Sequence, residues 1–448
     1  MPSDQKKFFR TLEHPVDWLR GKWVFVADGA FGDNGKGKVT NFLCHYLKEL
    51  GLEVGLCVRP NGGANAGHEV LNPFGRGDRE GSYVGHITPM GVLQGVPSLI
   101  GPGTVFDPEH FFRIELPRLR ERGVDTEKIL ISPRAQIVLP HYRRIEDAEE
   151  NLRGRSAIGT TKKAIGTAYE YRAKRAGICV GDVIGDRHSL WEKIVLSVRL
   201  ARQVLPIGDT AGLEAVVFKH LWKYRERLNE MTADEQAMYR RLREQGHVGV
   251  AEMGQGTFLD NIHGEHPFVT SSGTTIPAGL WQAGLSPRDL GYSILVVKGP
   301  YWTRVGNGPF ATEFDDKKAE EFRQTGREFG TTTGRPRRCG APDLPLLARA
   351  IELNGADCLC LTKMDKTADK KNLTILSTKR SFEEWDGWGE KEAFGAREIS
   401  ALPWQARQFI DFLETELGHL NTSLINLVST GPSLEDMIVT DDFLKKPQ

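Results

Sequence analysis

The sequence predicts a single large α/β domain built on a central, mostly parallel twisted sheet flanked by helices. Three observations carry that expectation. Short apolar runs of strand length recur along the chain with helical patterns between them, as parallel strands joined by crossover helices require. A Gly-rich turn joins the first such run directly to a helix, the local arrangement of a phosphate-binding loop. At 448 residues the chain is long enough for two or three domains, yet no internal repeat, low-complexity tract or linker divides it.

Residues 1–22 read as an N-terminal extension, expected to be an exposed and disordered arm, ahead of a domain over 23–448. The extension holds no apolar stretch long enough for a signal peptide, and no later stretch is long enough for a membrane span. "KWVFVADG" (23–30) is the first strand candidate. From Gly35 onward Val39, Phe42, Leu43, Tyr46, Leu47 and Leu50 recur at helical spacing until Gly51 supplies a stop. "EVGLCV" (53–58) makes a second strand, and further buried strands are expected at 129–133, 248–253, 293–299, 358–364 and 424–429. Between 189 and 245 the pattern is helical: Trp191, Ile194, Val195, Val198 and Ala201 fall on one face, and the charged run that follows reads as a solvated face.

Lysine plus arginine equals aspartate plus glutamate at 59 each, so no global field attracts nucleic acid or an anionic membrane. Any anion site must be built locally, and small ligands are favoured over polymers. The six cysteines form no CxxC pair, and Cys358 and Cys360 sit in an apolar run. Reduced thiols and a cytoplasmic location are the expectation.

"FGDNGKGKVTNF" (31–42) carries the first chemistry. Glycine-rich amides at a helix N-terminus make an anion cradle, and Gly35, Lys36, Gly37 and Lys38 fit that role. An ordinary P-loop places Ser or Thr directly after its lysine to hold magnesium; here Val39 follows Lys38. Asp33 on the lip would repel phosphate unless a metal ion or a proton transfer used its charge. Read alone, the stretch could also be a tight turn with an aspartate cap. The second Gly-rich segment, "RPNGGANAGHEV" (59–70), offers Asn65 and His68 for chemistry.

Taken together, these segments resemble the adenylosuccinate synthetase family, whose members join IMP and L-aspartate with GTP hydrolysis. The family's Gly-Asp-Glu-Gly-Lys-Gly-Lys appears as "GDNGKGK" (32–38) and its Gly-Gly-x-Asn-Ala-Gly-His as "GGANAGH" (62–68). Six further blocks follow in family order: 158–177, 254–275, 303–313, 328–340, 361–365 and 429–432. The resemblance implies a role for each matching residue. Asp33 would take the proton from purine N1 and, with the Gly67 carbonyl, hold Mg2+. His68 would stabilise charge as the γ-phosphoryl group moves to purine O6, a task suited to an imidazole near neutral pH. Gln255 would orient the purine. Asn65, Thr161 and Thr270 would hold the 5′-phosphate, with Arg175 contributed by the partner in a homodimer. Thr332, Thr333 and Arg335 would grip the carboxylates of L-aspartate, with Arg335 also at the ribose. Arg337, Lys363, Asp365, Ser429 and Gly431 would join the cradle residues at GTP, Asp365 accepting from guanine N1 and N2.

Several positions depart from the family pattern: Asn34, Glu69, Lys162, Lys163, Ala164, Thr167, Pro336, and near the purine Met253, Gly254 and Gly273. These last three make the purine 2-position the place where substrate choice is expected to be decided. A second reading is therefore a phage-type synthetase acting on dGMP to give 2-amino-deoxyadenylosuccinate, although such relatives often lack the aspartate present here as Asp33. A GTP-binding paralogue without turnover, or a plain kinase, are readings of a different class. A switch would not need Asp33, His68 and an aspartate loop together, and a kinase would not depend on L-aspartate.

Overall fold

A computed structural model describes residues 9–75, 81–154, 157–205, 210–330, 334–367, 372–420 and 423–447. Nine strands form the central sheet: β1 (Trp23–Asp28), β2 (Val54–Arg59), β3 (Ser98–Ile100), β4 (Ile129–Ile131), β5 (Val248–Glu252), β6 (Leu290–Lys298), β7 (Cys358–Thr362), β8 (Ile425–Ser429) and β9 (Met437–Val439). Their spatial order is β9-β8-β7-β6-β1-β5-β2-β3-β4, parallel throughout except for the β8–β9 edge pair. Every residue of β1, β5, β7 and β8 is buried, which is why these strands read as continuous apolar runs rather than alternating ones.

The period of two is still present, split between the faces. Phe25, Ala27, Leu295, Val297, Leu359 and Leu361 point into one core layer. Val24, Val26, Ile294, Val296, Cys358 and Cys360 point into the other, against Val39, Phe42, Leu43, Tyr46 and Leu47 of helix α1 (Lys36–Glu49). Gly35 at the head of α1 has φ of 101° and Gly51 beyond its end 79°, conformations that a side chain would strain.

The strands expected from sequence are all present; β3 and β9, each three residues long, were not foreseen. The long helical region resolves into Arg187–Ala201, Leu213–Trp222, Arg225–Met231 and Glu235–Glu244. In the first of these the buried stripe runs through Leu190, Ile194, Val198 and Ala201. Trp191, expected on that face, is instead exposed at the rim, its ring edge-on to Phe218 at 5.8 Å.

The N-terminal extension also differs from expectation. Residues 1–8 lie outside the described residues, but Leu12, Val16 and Leu19 are buried in the layer that holds α1. Phe9 meets the Phe42 ring edge-on at 4.9 Å, the Tyr46 hydroxyl donates to the Arg10 carbonyl at 2.7 Å, and the Trp18 indole donates to the Leu444 carbonyl at 3.2 Å. Apolar side chains at 9, 12, 16 and 19 give the segment one face to bury, and it straps α1 to the C-terminal residues. No helix among the described residues is long and apolar enough to cross a membrane.

Candidate active site

The four adjacent strands at the middle of the sheet, β6, β1, β5 and β2, end at one rim in Lys298, Asp28, Glu252 and Arg59. All four side chains are buried. A buried charge must be paired or hydrogen-bonded, so each of these residues organises its surroundings.

Asp28 builds the first loop. Its carboxylate accepts from the amides of Ala30 (3.0 Å), Gly32 (3.1 Å) and Asn34 (3.2 Å), from the Asn34 side chain (2.8 Å), and from the Lys36 ammonium (3.0 Å). The loop folded around this acceptor holds Asp33 at φ 58° and displays its carboxylate outward. There Asp33 pairs with Arg337, Nε to Oδ2 at 2.9 Å. Arg337 in turn reaches Glu328 through Nη1 at 2.8 Å, and the wholly buried Glu328 also receives the Lys298 ammonium (2.8 Å) and the Tyr301 hydroxyl (2.7 Å). Burial alone would raise the Glu328 carboxyl; Lys298, Lys363 and Arg337 overrule it and hold it at about 2.

All nine residues expected at GTP line one cavity at the strand ends, together with Asp33, Gly67 and His68. The two lysines differ from expectation. Lys36 is turned onto Asp28, and Lys38 donates to the Ser429 hydroxyl (2.6 Å) and to the carbonyls of Gly431 and Asp436. Burial pulls the Lys38 ammonium down to about 8. With both ammonium groups on protein oxygens, the N-terminal end of α1 is what the loop turns to the cavity. Asp365, just past β7, is buried with Lys366 Nζ at 3.0 Å, and Lys363 donates to the Gly326 carbonyl at 2.9 Å.

His68 stands on the wall of this cavity. Its Nδ1 meets the Glu252 carboxylate, and Arg59 approaches both ring nitrogens, at 3.0 Å from Nδ1 and 3.3 Å from Nε2. Burial, reinforced by the Arg59 charge and opposed by Glu252, lowers the imidazole to about 4. An imidazole lowered that far is neutral at pH 7.

A second cavity adjoins the first and gathers Asn65, Thr161, Gln255 and Thr270, all expected at the purine nucleotide. The Gln255 amide donates to Asn65 Oδ1 at 3.2 Å, while its own carbonyl oxygen is buried with no hydrogen-bond partner among the described residues. Gly32, next to Asp33 of the first cavity, packs against the second: a methyl there would lie 3.6 Å from Leu259 and Val305 and 3.9 Å from the Gln255 backbone carbonyl carbon. Glu146, Glu149 and Glu150 of the helix Tyr142–Arg153 line the second cavity, and two of them fix its wall. Glu150 accepts from the Gly159 amide (2.6 Å) and Glu146 from the Ala164 amide (2.8 Å), which pins the segment carrying Thr161.

Other expected residues fall elsewhere. Arg175 and Arg335 are exposed and line neither cavity, and Thr332 and Thr333 lie outside the described residues. Met253, Gly254 and Gly273 do not line the second cavity either. Met253 is wholly buried with its sulfur against Gly279, and the Gly273 carbonyl accepts from Asn61 and Gln282. Sequence reasoning gave no role to Asp28, Arg59, Glu252, Lys298 and Glu328. For the first four the signal was present as a charged residue closing an apolar strand run.

Among the described residues no group of three or more His, Cys, Asp or Glu side chains could hold a metal ion. Asp33 and Gly67 nevertheless offer a carboxylate and a carbonyl on one cavity wall, hard oxygen donors of the kind Mg2+ takes when substrate phosphates complete its shell.

The sequence model of the adenylosuccinate synthetase family matches residues 25–378. Relatives of that name include one from Caldicellulosiruptor bescii, 34% identical over 435 residues, which covers 92% of this chain and 97% of the relative. Another, from Mycobacterium tuberculosis, is 36% identical over 446 residues, covering 94% and 99%. The solved structure of fully ligated adenylosuccinate synthetase from Plasmodium falciparum superposes with a TM-score of 0.80 at 27% identity, covering 93% of this chain and 99% of that one. A cyanophage S-2L succinoaminodeoxyadenylate synthetase bound to dGMP and dATP shares the fold, with a TM-score of 0.59 at 20% identity over 94% and 95% of the two chains. The blocks read from the sequence, the two adjoining cavities they line and these matches over most of the chain agree: this chain belongs to the adenylosuccinate synthetase family.

Proposed function

We propose the following division of labour for the ligation that this family performs, in which IMP and L-aspartate are joined with GTP. GTP occupies the first cavity, its phosphates at the head of α1 and its guanine on Asp365, whose carboxylate accepts from N1–H and the 2-amino group. IMP occupies the second cavity, its 5′-phosphate near Asn65, Thr161 and Thr270. Gln255 holds the purine, and the unpartnered Gln255 carbonyl supports that assignment because a buried acceptor without a donor is costly.

Asp33 then takes the proton from purine N1, which makes O6 nucleophilic toward the γ-phosphorus. His68 stabilises the charge that builds as the phosphoryl group passes to O6 and GDP departs. The amine of L-aspartate attacks C6 and expels the phosphate, giving adenylosuccinate. Thr332, Thr333 and Arg335 are assigned to the aspartate carboxylates, and Arg337 leaves Asp33 for the nucleotide once phosphates arrive. Asp33 and the Gly67 carbonyl would hold Mg2+, which when bound neutralises charge on the phosphates. Arg175, exposed beyond the helix Ile165–Ala173, is assigned to the nucleotide site of a partner subunit in a homodimer. The protein is assigned to the cytoplasm, with no nucleic-acid or membrane partner.

The observation that carries this reading is that Asp33 and His68 line the first cavity with every residue expected at GTP, while Gln255 lines the second with Asn65, Thr161 and Thr270. It is tested by incubating the protein with GTP, Mg2+, L-aspartate and either IMP or dGMP, following the N6-succinyl product and phosphate. Product from IMP is expected. Product from dGMP alone would overturn the choice of acceptor, and product from neither, with GTP still bound, would overturn the ligase assignment.

A further inference from the structure

We propose that Lys366 reads the guanine base beside Asp365 by donating to O6, and so takes part in nucleotide choice. The inference rests on the placement of guanine on Asp365 given above. Along one edge guanine presents two donors, the 2-amino group and N1–H, and then one acceptor, O6. The two oxygens of Asp365 match the donors, but a carboxylate has nothing to give to O6. A complete site needs a donor next to that carboxylate.

Lys366 stands at that position. Its side chain lines the first cavity, with Nζ 3.0 Å from Asp365 Oδ2. The contact is an ion pair out of hydrogen-bond alignment, and the buried Oδ2 has no hydrogen-bond partner among the described residues. That oxygen can take N1–H, while the ammonium compensates the buried carboxylate before the base arrives. O6 is carried by the ring atom next to N1, so N1–H on Oδ2 brings O6 beside the same ammonium. Its three donors and flexible stem let it turn to O6 without leaving the carboxylate. The other cations lining the cavity are engaged elsewhere: Lys36 on Asp28, Lys38 on Ser429, Arg337 on Asp33 and Lys363 on Gly326.

The backbone that carries the pair is held from two sides. The Met364 amide donates to the Ser429 carbonyl at 3.2 Å, and the Lys366 amide to the Lys363 carbonyl at 2.8 Å. From the other side the Trp388 indole donates to the Met364 carbonyl at 2.6 Å, and its amide to the Thr367 hydroxyl at 3.3 Å. Asp365 and Lys366 thus sit on a fixed turn, which keeps acceptor and donor at the spacing a base edge requires.

Lys366→Met tests this by removing the ammonium while keeping most of the stem. GTP is compared with 6-thio-GTP, which retains the triphosphate, N1–H and the 2-amino group but replaces O6 with sulfur, a weak acceptor. In the variant kcat/KM for GTP should fall by about tenfold, and that for ITP, which keeps O6, by a similar factor, while 6-thio-GTP changes by less than about twofold. An equal loss with 6-thio-GTP would mean that the lysine only attracts the triphosphate. Unchanged or improved use of GTP would make it a plug on Asp365. Either result overturns the proposal.

The native protein supplies a measurement that does not depend on the variant folding. It should use 6-thio-GTP about tenfold less well than GTP, and equal use would overturn the proposal. Native protein that uses ATP as well as GTP would instead overturn the placement of guanine on Asp365, so the two failures are distinguishable.

Discussion

At the scale of single residues, the site separates groups that face the cavities from groups that hold them there. Asp33 faces the first cavity on a loop whose shape is set by Asp28, so Asp33→Asn should preserve the cradle. Turnover is expected to fall by about a hundredfold to ten-thousandfold, measured by product formation. Retained turnover would remove Asp33 as the base. Asp365→Asn exchanges an acceptor oxygen for an amide donor. kcat/KM for GTP should fall by roughly tenfold or more, and that for XTP, which presents a carbonyl in place of the 2-amino group, should rise. An unchanged preference would sink the guanine assignment. The facing residues were legible in the sequence because family blocks carry them at fixed spacing, whereas Asp28, Arg59, Glu252 and Lys298 stand alone at strand ends. Their partners are brought to them by the fold: Glu252 and His68 are 184 positions apart.

At the scale of elements, the segment 328–337 is anchored at both ends by one buried carboxylate. Glu328 receives Arg337, and the backbone closes on itself through the Arg337 amide to the Glu328 carbonyl at 2.9 Å. Glu328→Gln should destabilise the fold by about 3 kcal/mol at pH 7, measured by urea unfolding, because Lys298 is left buried without its counter-charge. The pH dependence has a definite sign. The Glu328 pKa is depressed from 4.5 to about 2, so its contribution is full above pH 4.5 and is lost as pH falls toward 2. Acid unfolding of the variant should therefore be less steep in that window, and equal slopes would contradict the pairing. The strands were legible as elements because burial on both faces leaves unbroken apolar runs. β3 and β9 were not, since each has only three residues set among Gly, Pro or acidic neighbours.

At the scale of the whole molecule, the two ends of the chain are part of one core layer with α1. Deleting the segment through Leu19 removes three buried apolar side chains and should cost about 4–9 kcal/mol, read from denaturant unfolding. Limited proteolysis of the native protein should leave bonds between 9 and 22 intact; rapid cleavage there would mean the strap is undocked in solution. This docking escaped the sequence reading because four apolar residues in a charged stretch reveal a face only when something is there to cover it. The strap also bears on synthesis. The first cavity is walled by residues from Asp33 to Pro432, Lys38 docks on the turn after β8, and Trp18 docks on Leu444. The ribosome delivers the cradle first and the wall of Ser429, Gly431 and Pro432 last, so the first cavity is complete only when nearly the whole chain has been made.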